Sequence, residues 1–386
     1  MGATISTSEA NKSGMSGLKL RLERNITFLG PLATLIVLIV LFAILAPATF
    51  LSSGNIVNVM SQVSVLAILA AGLTFVLLLG QMDLSVAAVA VLAGMVSAVV
   101  YSGMPMSLPF LGEIYFGTGN QWIAVLIAGI VAILMGLLSG VLTARFGIPS
   151  FIGTLGVLEM ARGLAFYWSD GQNVYDIMPL STTLGESFIG PIPVIVLVAA
   201  ATLLVGHIVL TWTRFGRYVY MCGANPKAAQ LSGVPVRRVT IAVFVISGLL
   251  AGFGGLVLMG RVGSAQATSG DNLLLPAIAA VVLGGTSLFG GVGSMKHTAV
   301  GLLLYGVLNN GLDQLDMNIY LKPFARGAFL LAAIALNIAA LRIASRAQTR
   351  GDIGNIHDEA NALIKEPIPH TTAPMSGPNT NETESR

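Results

Sequence analysis

The sequence predicts an all-α polytopic membrane protein with about ten transmembrane spans, some of them broken or re-entrant. Three observations carry this. Charged residues are 10% of the 386 and hydrophobic residues 55%, whereas an ordinary soluble domain carries roughly 25% charge. Mean hydropathy is +0.83. Apolar runs of spanning length recur along the chain, and 45 glycines lie among them, a residue commoner in membrane helices than in soluble ones. So few charges could not cover a soluble protein of this size. The composition excludes a soluble enzyme, a disordered chain and a nucleic-acid binder, and makes the lipid bilayer the first partner.

The elements follow in order. Residues 1–27 are polar and carry Lys12, Lys19, Arg21 and Arg24, which reads as a cytoplasmic N-terminal segment. The apolar run at 28–46 can cross a hydrocarbon core of about 30 Å at about 1.5 Å per residue. It is longer than a signal-peptide core and lacks a small-residue cleavage site, so it reads as a span that is retained. Further runs lie at 56–80, 84–102, 122–144, 149–168, 190–212, 239–260, 272–289, 297–315 and 323–341. The transmembrane domain is placed at 28–345 with a basic loop at 213–239. Residues 346–386 are polar and read as a disordered cytoplasmic tail.

Basic residues set the orientation. With the N-terminus inside and ten spans, all of the 20 Lys and Arg fall inside except Arg162, Arg261, Lys322 and Arg326. The outside loops 103–121 and 169–189 contain acids, Glu113, Asp170, Asp176 and Glu186, and no base. Both termini are therefore expected in the cytoplasm. The single cysteine, Cys222, cannot form an internal disulfide and reads as a small buried thiol.

Four segments carry possible chemistry. In Gly80-Gln81-Met82-Asp83-Leu84-Ser85 a carboxylate interrupts apolar sequence. A charge near hydrocarbon costs several kcal/mol (order of magnitude) unless paired or hydrated. Asp83 therefore caps the helix that follows or lines a polar path. Glu159 and Arg162 stand at i, i+3 on one helical face and can neutralise one another, as framework or as a wall of the path. In the basic loop, Asn225-Pro226 favours a turn and Lys227 to Leu231 suits a short helix. Gly233 ends it and Pro235 blocks its continuation. Physics alone leaves this helix as a connector or a docking element. The segment Gly284 to Ser294 is rich in glycine but lacks the Gly-Lys-Ser/Thr ending of a phosphate-binding loop. Its glycines suit close helix approach or a re-entrant break. Asn309, Asn310, Asp313, Gln314 and Asp316 follow as a polar cluster. No zinc motif, nucleophile elbow or paired catalytic carboxylates stand in the sequence, so catalysis is not expected.

The segments GQMDLSV, PSFIGTLGVLEMARGLA, GANPKAAQLSGVPV, GGTSLFGGVGS and NNGL occur in this order. Together, across residues 30–340, they resemble the permease subunit of bacterial ABC sugar importers of the ribose/xylose/galactose type. The resemblance implies the ABC importer permease fold and import of a monosaccharide from periplasm to cytoplasm by alternating access in the bacterial inner membrane. It implies a cytoplasmic ATPase partner holding ATP and magnesium, no cofactor on this chain, a periplasmic sugar-binding protein, and a second permease subunit, taken as identical. It assigns ATPase coupling to Gly223, Ala224, Asn225, Lys227, Ala228, Ala229, Leu231 and Gly233. Asp83, Glu159, Arg162, Asn309 and Asn310 are the candidates for the translocation path or its framework. Gln81, Met82 and Ala87 depart from the family's Gly-Gly-Ile-Asp-Leu-Ser-Val-Gly, and Lys296-His297 stands where small residues are expected. The alternatives are a branched-chain amino acid ABC permease and an ion-coupled secondary transporter.

Overall fold

The computed structural model describes residues 28–108, 112–115, 117, 119–329 and 331–332. The segments 1–27 and 346–386 lie outside the described residues. One unit covers Met1–Leu331 and a second Ala332–Arg386, of which only Ala332 is described.

Helix α1 runs Phe28–Leu45, α2 Ser53–Leu78, α3 Val86–Ser102, α4 Gln121–Ala144 and α5 Ser150–Ser169. Helix α6 (Pro179–Glu186) is short, and α7 runs Val194–Trp212. The basic loop holds α8 (Arg214–Ala224) and α9 (Pro226–Leu231). Then come α10 (Val236–Val262), α11 (Leu274–Leu283) and α12 (Met295–Gln314). Residues 322–329 are again helical.

Five helices are long and apolar enough to cross a membrane: α1, α2, α4, α7 and α10. Helices α3 and α11 are apolar but shorter. The protein is thus helical and polytopic, as its composition requires. Two small antiparallel hairpins depart from the all-α expectation. Strand β1 (Pro105–Leu108) pairs with β2 (Gly112–Tyr115), and β3 (Phe188–Ile189) with β4 (Ile192–Pro193). Both occupy connections rather than spans, where backbone groups need partners that a helix no longer supplies.

Helix α10 is the centre of the bundle, packing on α4, α3, α2 and α6. Its residue choice explains the closeness. Gly248 and Gly252 meet Ala132 on α4, Gly254 meets Leu69 on α2, and Gly255 meets the backbone of Ala90 on α3. Gly136 and Gly140 on α4 return the contact against Phe244 and Ile241. Small residues let backbones approach where lipid provides no hydrophobic drive between helices. Polar links add to this. The Thr74 and Thr298 hydroxyls lie 2.6 Å apart between α2 and α12. Asn55 and Asn310 exchange two amide hydrogen bonds of 2.8 Å each, and Gln314 donates to Asn55 Oδ1 at 2.9 Å. Buried amides matched this way leave little unpaired polarity.

Candidate functional site

The basic loop is built to display a short helix. Thr213 caps α8, its hydroxyl accepting from Gly216 N at 3.1 Å. Val219 and Cys222 turn inward. Burial pushes the Cys222 thiol pKa up. The Tyr220 hydroxyl donates to Gly293 O at 2.9 Å, and burial raises its pKa too. Asn225 ends α8 and starts α9, its Oδ1 accepting from Ala228 N at 3.0 Å. Pro226 takes the first turn, where its missing N–H costs nothing. Ser232 N and Val234 N close the last turn on Ala228 O and Ala229 O at 3.0 Å each. Gly233 has φ +82°, a left-handed conformation that suits glycine.

Within α9 the side chains divide. Ala229 is buried, in a cluster with Val234 and Val239. Lys227, Ala228 and Gln230 are exposed, and Leu231 is 90% exposed. Ala229 thus secures the helix to the body, and Leu231 and Lys227 face outward. Gly223 and Ala224 sit against the glycine-rich segment. Gly223 abuts Leu78 O, and Gly291 lies against Ala224. Spacing alone does not reveal this junction, because its parts are far apart in the chain.

The other candidates are dispersed. Asp83 is 2% exposed between α2 and α3. Its Oδ1 accepts from Ser85 N at 3.0 Å and Ser85 Oγ at 2.6 Å, and its Oδ2 from Ser247 Oγ at 2.8 Å. Ser85, not Asp83, holds the cap position of α3. The carboxylate ties the break to the centre of α10. The same break is held by α5, with Ser150 Oγ accepting from Met82 N at 2.9 Å and Thr154 Oγ1 from Leu84 N at 3.1 Å.

Glu159 and Arg162 share the exposed face of α5 but do not pair. Arg162 Nη2 lies 3.4 Å from Asp271 Oδ1 instead, and its guanidinium sits 6.0 Å from the Phe166 ring centroid. Asp271 is a partner that spacing could not supply, since it belongs to the turn before α11. Arg162 and Asp271 border a cavity of about 140 Å³ with Ala87, Val91 and Gly270. Asn310 is enclosed in the amide pair with Asn55. Asn309 donates to Gln62 Oε1 at 3.3 Å, beside a second cavity of about 150 Å³ that Asn272 and Tyr305 also line. No cluster of His, Cys, Asp or Glu suited to a metal occurs among the described residues.

Long apolar helices packed through glycine, a buried break, and a short helix displayed from a basic loop define a multi-pass membrane protein. The chain belongs to the family described as "Branched-chain amino acid transport system / permease component", whose model matches residues 55–334. It is similar to the ribose import permease protein of Haemophilus influenzae, 36% identical over 304 residues, covering 78% of this chain and 90% of that one. It is similar to the D-allose transport system permease protein of Escherichia coli, 34% identical over 311 residues, covering 80% and 90%. The xylose transport system permease protein of the same organism is 30% identical over 378 residues, covering 85% and 95%. No solved structure matches the chain.

Proposed function

We propose that this chain is the permease subunit of an ATP-binding cassette importer that carries a monosaccharide of the ribose/xylose/galactose class into the cytoplasm. The observation that carries the reading is α9: a capped helix anchored by buried Ala229 and offering Leu231 outward from a basic loop. That arrangement suits a helix pressed into a groove on a partner. Sugar permeases among the relatives favour a sugar over a branched-chain amino acid.

In this reading ATP and magnesium bind a cytoplasmic ATPase partner, and this chain carries no cofactor. A periplasmic binding protein delivers the sugar. A second, identical permease completes the path, with ten spans in the inner membrane and both termini in the cytoplasm. Gly223, Ala224, Asn225, Lys227, Ala228, Ala229, Leu231 and Gly233 form the coupling segment. Glu159 and Arg162 on α5 wall the path, and Asp83, Asn309 and Asn310 belong to its framework. Asp83 is held by three donors, which makes it a poor ion carrier, whereas a secondary transporter needs titratable acids free to exchange.

The test is reconstitution into proteoliposomes with the companion ATPase and binding protein. ATP-dependent uptake of labelled ribose, xylose or galactose, without uptake of leucine, is expected. Uptake driven by an ion gradient with no ATPase would overturn the reading.

A further inference from the structure

The glycine-rich segment between α11 and α12 presents a large apolar side chain that the fold does not use. Phe289 is 92% exposed, and Val292 beside it 50%. Among the exposed large apolar residues that are described, only Leu231 and Tyr320 come close. Phe289 is nonetheless held on a well-made turn. Ser287 N donates to Val292 O at 2.9 Å, and Phe289 N to Ser287 Oγ at 3.1 Å. Tyr220 of α8 donates to Gly293 O from the side.

The turn is seated against the coupling segment, backbone to backbone. Gly291 N donates to Leu78 O at 2.9 Å. A Cβ on Gly290 would stand 2.8 Å from Gly223 O, and one on Gly291 3.0 Å from Ala224 Cα. Any side chain there would push the turn away from the residues that lead directly into α9. The glycines therefore bring Phe289 to the side of the protein from which α9 projects, and α9 itself carries the equally exposed Leu231.

Resting on the reading above, we propose that Phe289 is a second anchor for the partner ATPase, continuous with α9. The partner surface would be an apolar depression with an acidic rim. Arg214, Arg217, Lys227, Arg237 and Arg238 lie in the α8–α10 stretch, and Lys296 follows the turn. Two anchors on one rigid junction resist rotation of the partner, which a single six-residue helix does not. Aromatic residues, phenylalanine among them, are enriched in the cores of protein interfaces.

The experiment places the photo-crosslinker p-benzoylphenylalanine at position 289 in the full transporter in native membranes, and identifies the adduct by mass spectrometry. A crosslink to the companion ATP-binding cassette ATPase is expected. Phe289→Ser should then lower the ATPase retained per permease at least tenfold in mild detergent, with Phe289→Leu recovering most of it. Adducts with lipid alone, or with a second copy of this chain, would overturn the proposal. So would equal ATPase retention by wild type and Phe289→Ser. Failure of wild type itself to retain the ATPase would instead overturn the functional reading. Phe289 is almost wholly exposed, so the substitutions leave the fold intact.

Discussion

Helices α2 and α5 present their surfaces in opposite ways. The apolar stretch of α2 is 89% buried, enclosed by α10, α7, α12 and α11. Helix α5 buries a narrow stripe, Gly153, Thr154, Val157, Ala161 and Ala165, at steps of one, three and four residues. Its other face exposes Phe151, Ile152, Leu155 and Met160 together with Glu159 and Arg162. Gly156 and Gly163 there have open space where a side chain would stand. Lipid alone does not suit a face carrying two charges. Apolarity therefore marks a span, and the pattern of small and charged residues tells whether protein, lipid or water lies against it.

The strongest way to break this contrast is a glycine pair. Gly255→Leu would drive a side chain into the Ala90 backbone, so no folded protein should accumulate. Gly156→Leu on α5 should give normal yield of monodisperse protein in mild detergent. Equal yields would remove the distinction between the two faces.

Asp83→Asn comes next. It replaces a carboxylate that accepts three hydrogen bonds in the buried break, and should cost about 1–3 kcal/mol. Ser247→Ala removes one donor and should cost less. Thermal unfolding in detergent measures both, and a harmless Asp83→Asn would show that the break does not depend on the charge. Asn225→Ala removes the α9 cap and should cost about 1 kcal/mol, with a larger loss of ATP-driven uptake than of thermal stability.

On α5, Arg162→Ala and Glu159→Ala should each change stability by no more than about 0.5 kcal/mol, since both side chains are exposed. Sugar uptake should nevertheless fall for Arg162→Ala, which loses Asp271. Uptake unchanged in both variants would turn this face from a path wall into plain surface. The smallest effect concerns Cys222. A buried thiol with a raised pKa holds little thiolate, the reactive form. Maleimide labelling of the folded protein should be slow at neutral pH and quicken as pH rises, and should be fast after unfolding.

Local features were legible in the sequence, and distant ones were not. Asn225, Pro226, Gly233 and Pro235 each act on their immediate neighbours, so the limits of α9 followed from them. The five helices long and apolar enough to cross a membrane fall on expected apolar runs, whereas the full set of ten spans is not confirmed. Pro179 at the start of α6 is a local signal of the same kind. The partners of Asp83 and Arg162 are Ser247 and Asp271, on other elements, and no periodicity links them. Spacing favoured Glu159 for Arg162 because it accounts only for neighbours on one helix. The inward turn of Ala229 also depended on packing against Val234 and Val239. Phe289 had a visible signal, a bulky residue among glycines, but its neighbourhood came only from folding.

The most direct test of the account is ATP-driven sugar uptake into proteoliposomes by wild type and Leu231→Glu, assembled with the same ATPase and binding protein. Leu231 is exposed, so the variant should insert and extract like wild type while uptake falls at least about tenfold, the equivalent of about 1.4 kcal/mol. Full uptake by a stable Leu231→Glu protein would contradict the assignment of α9 as the coupling helix.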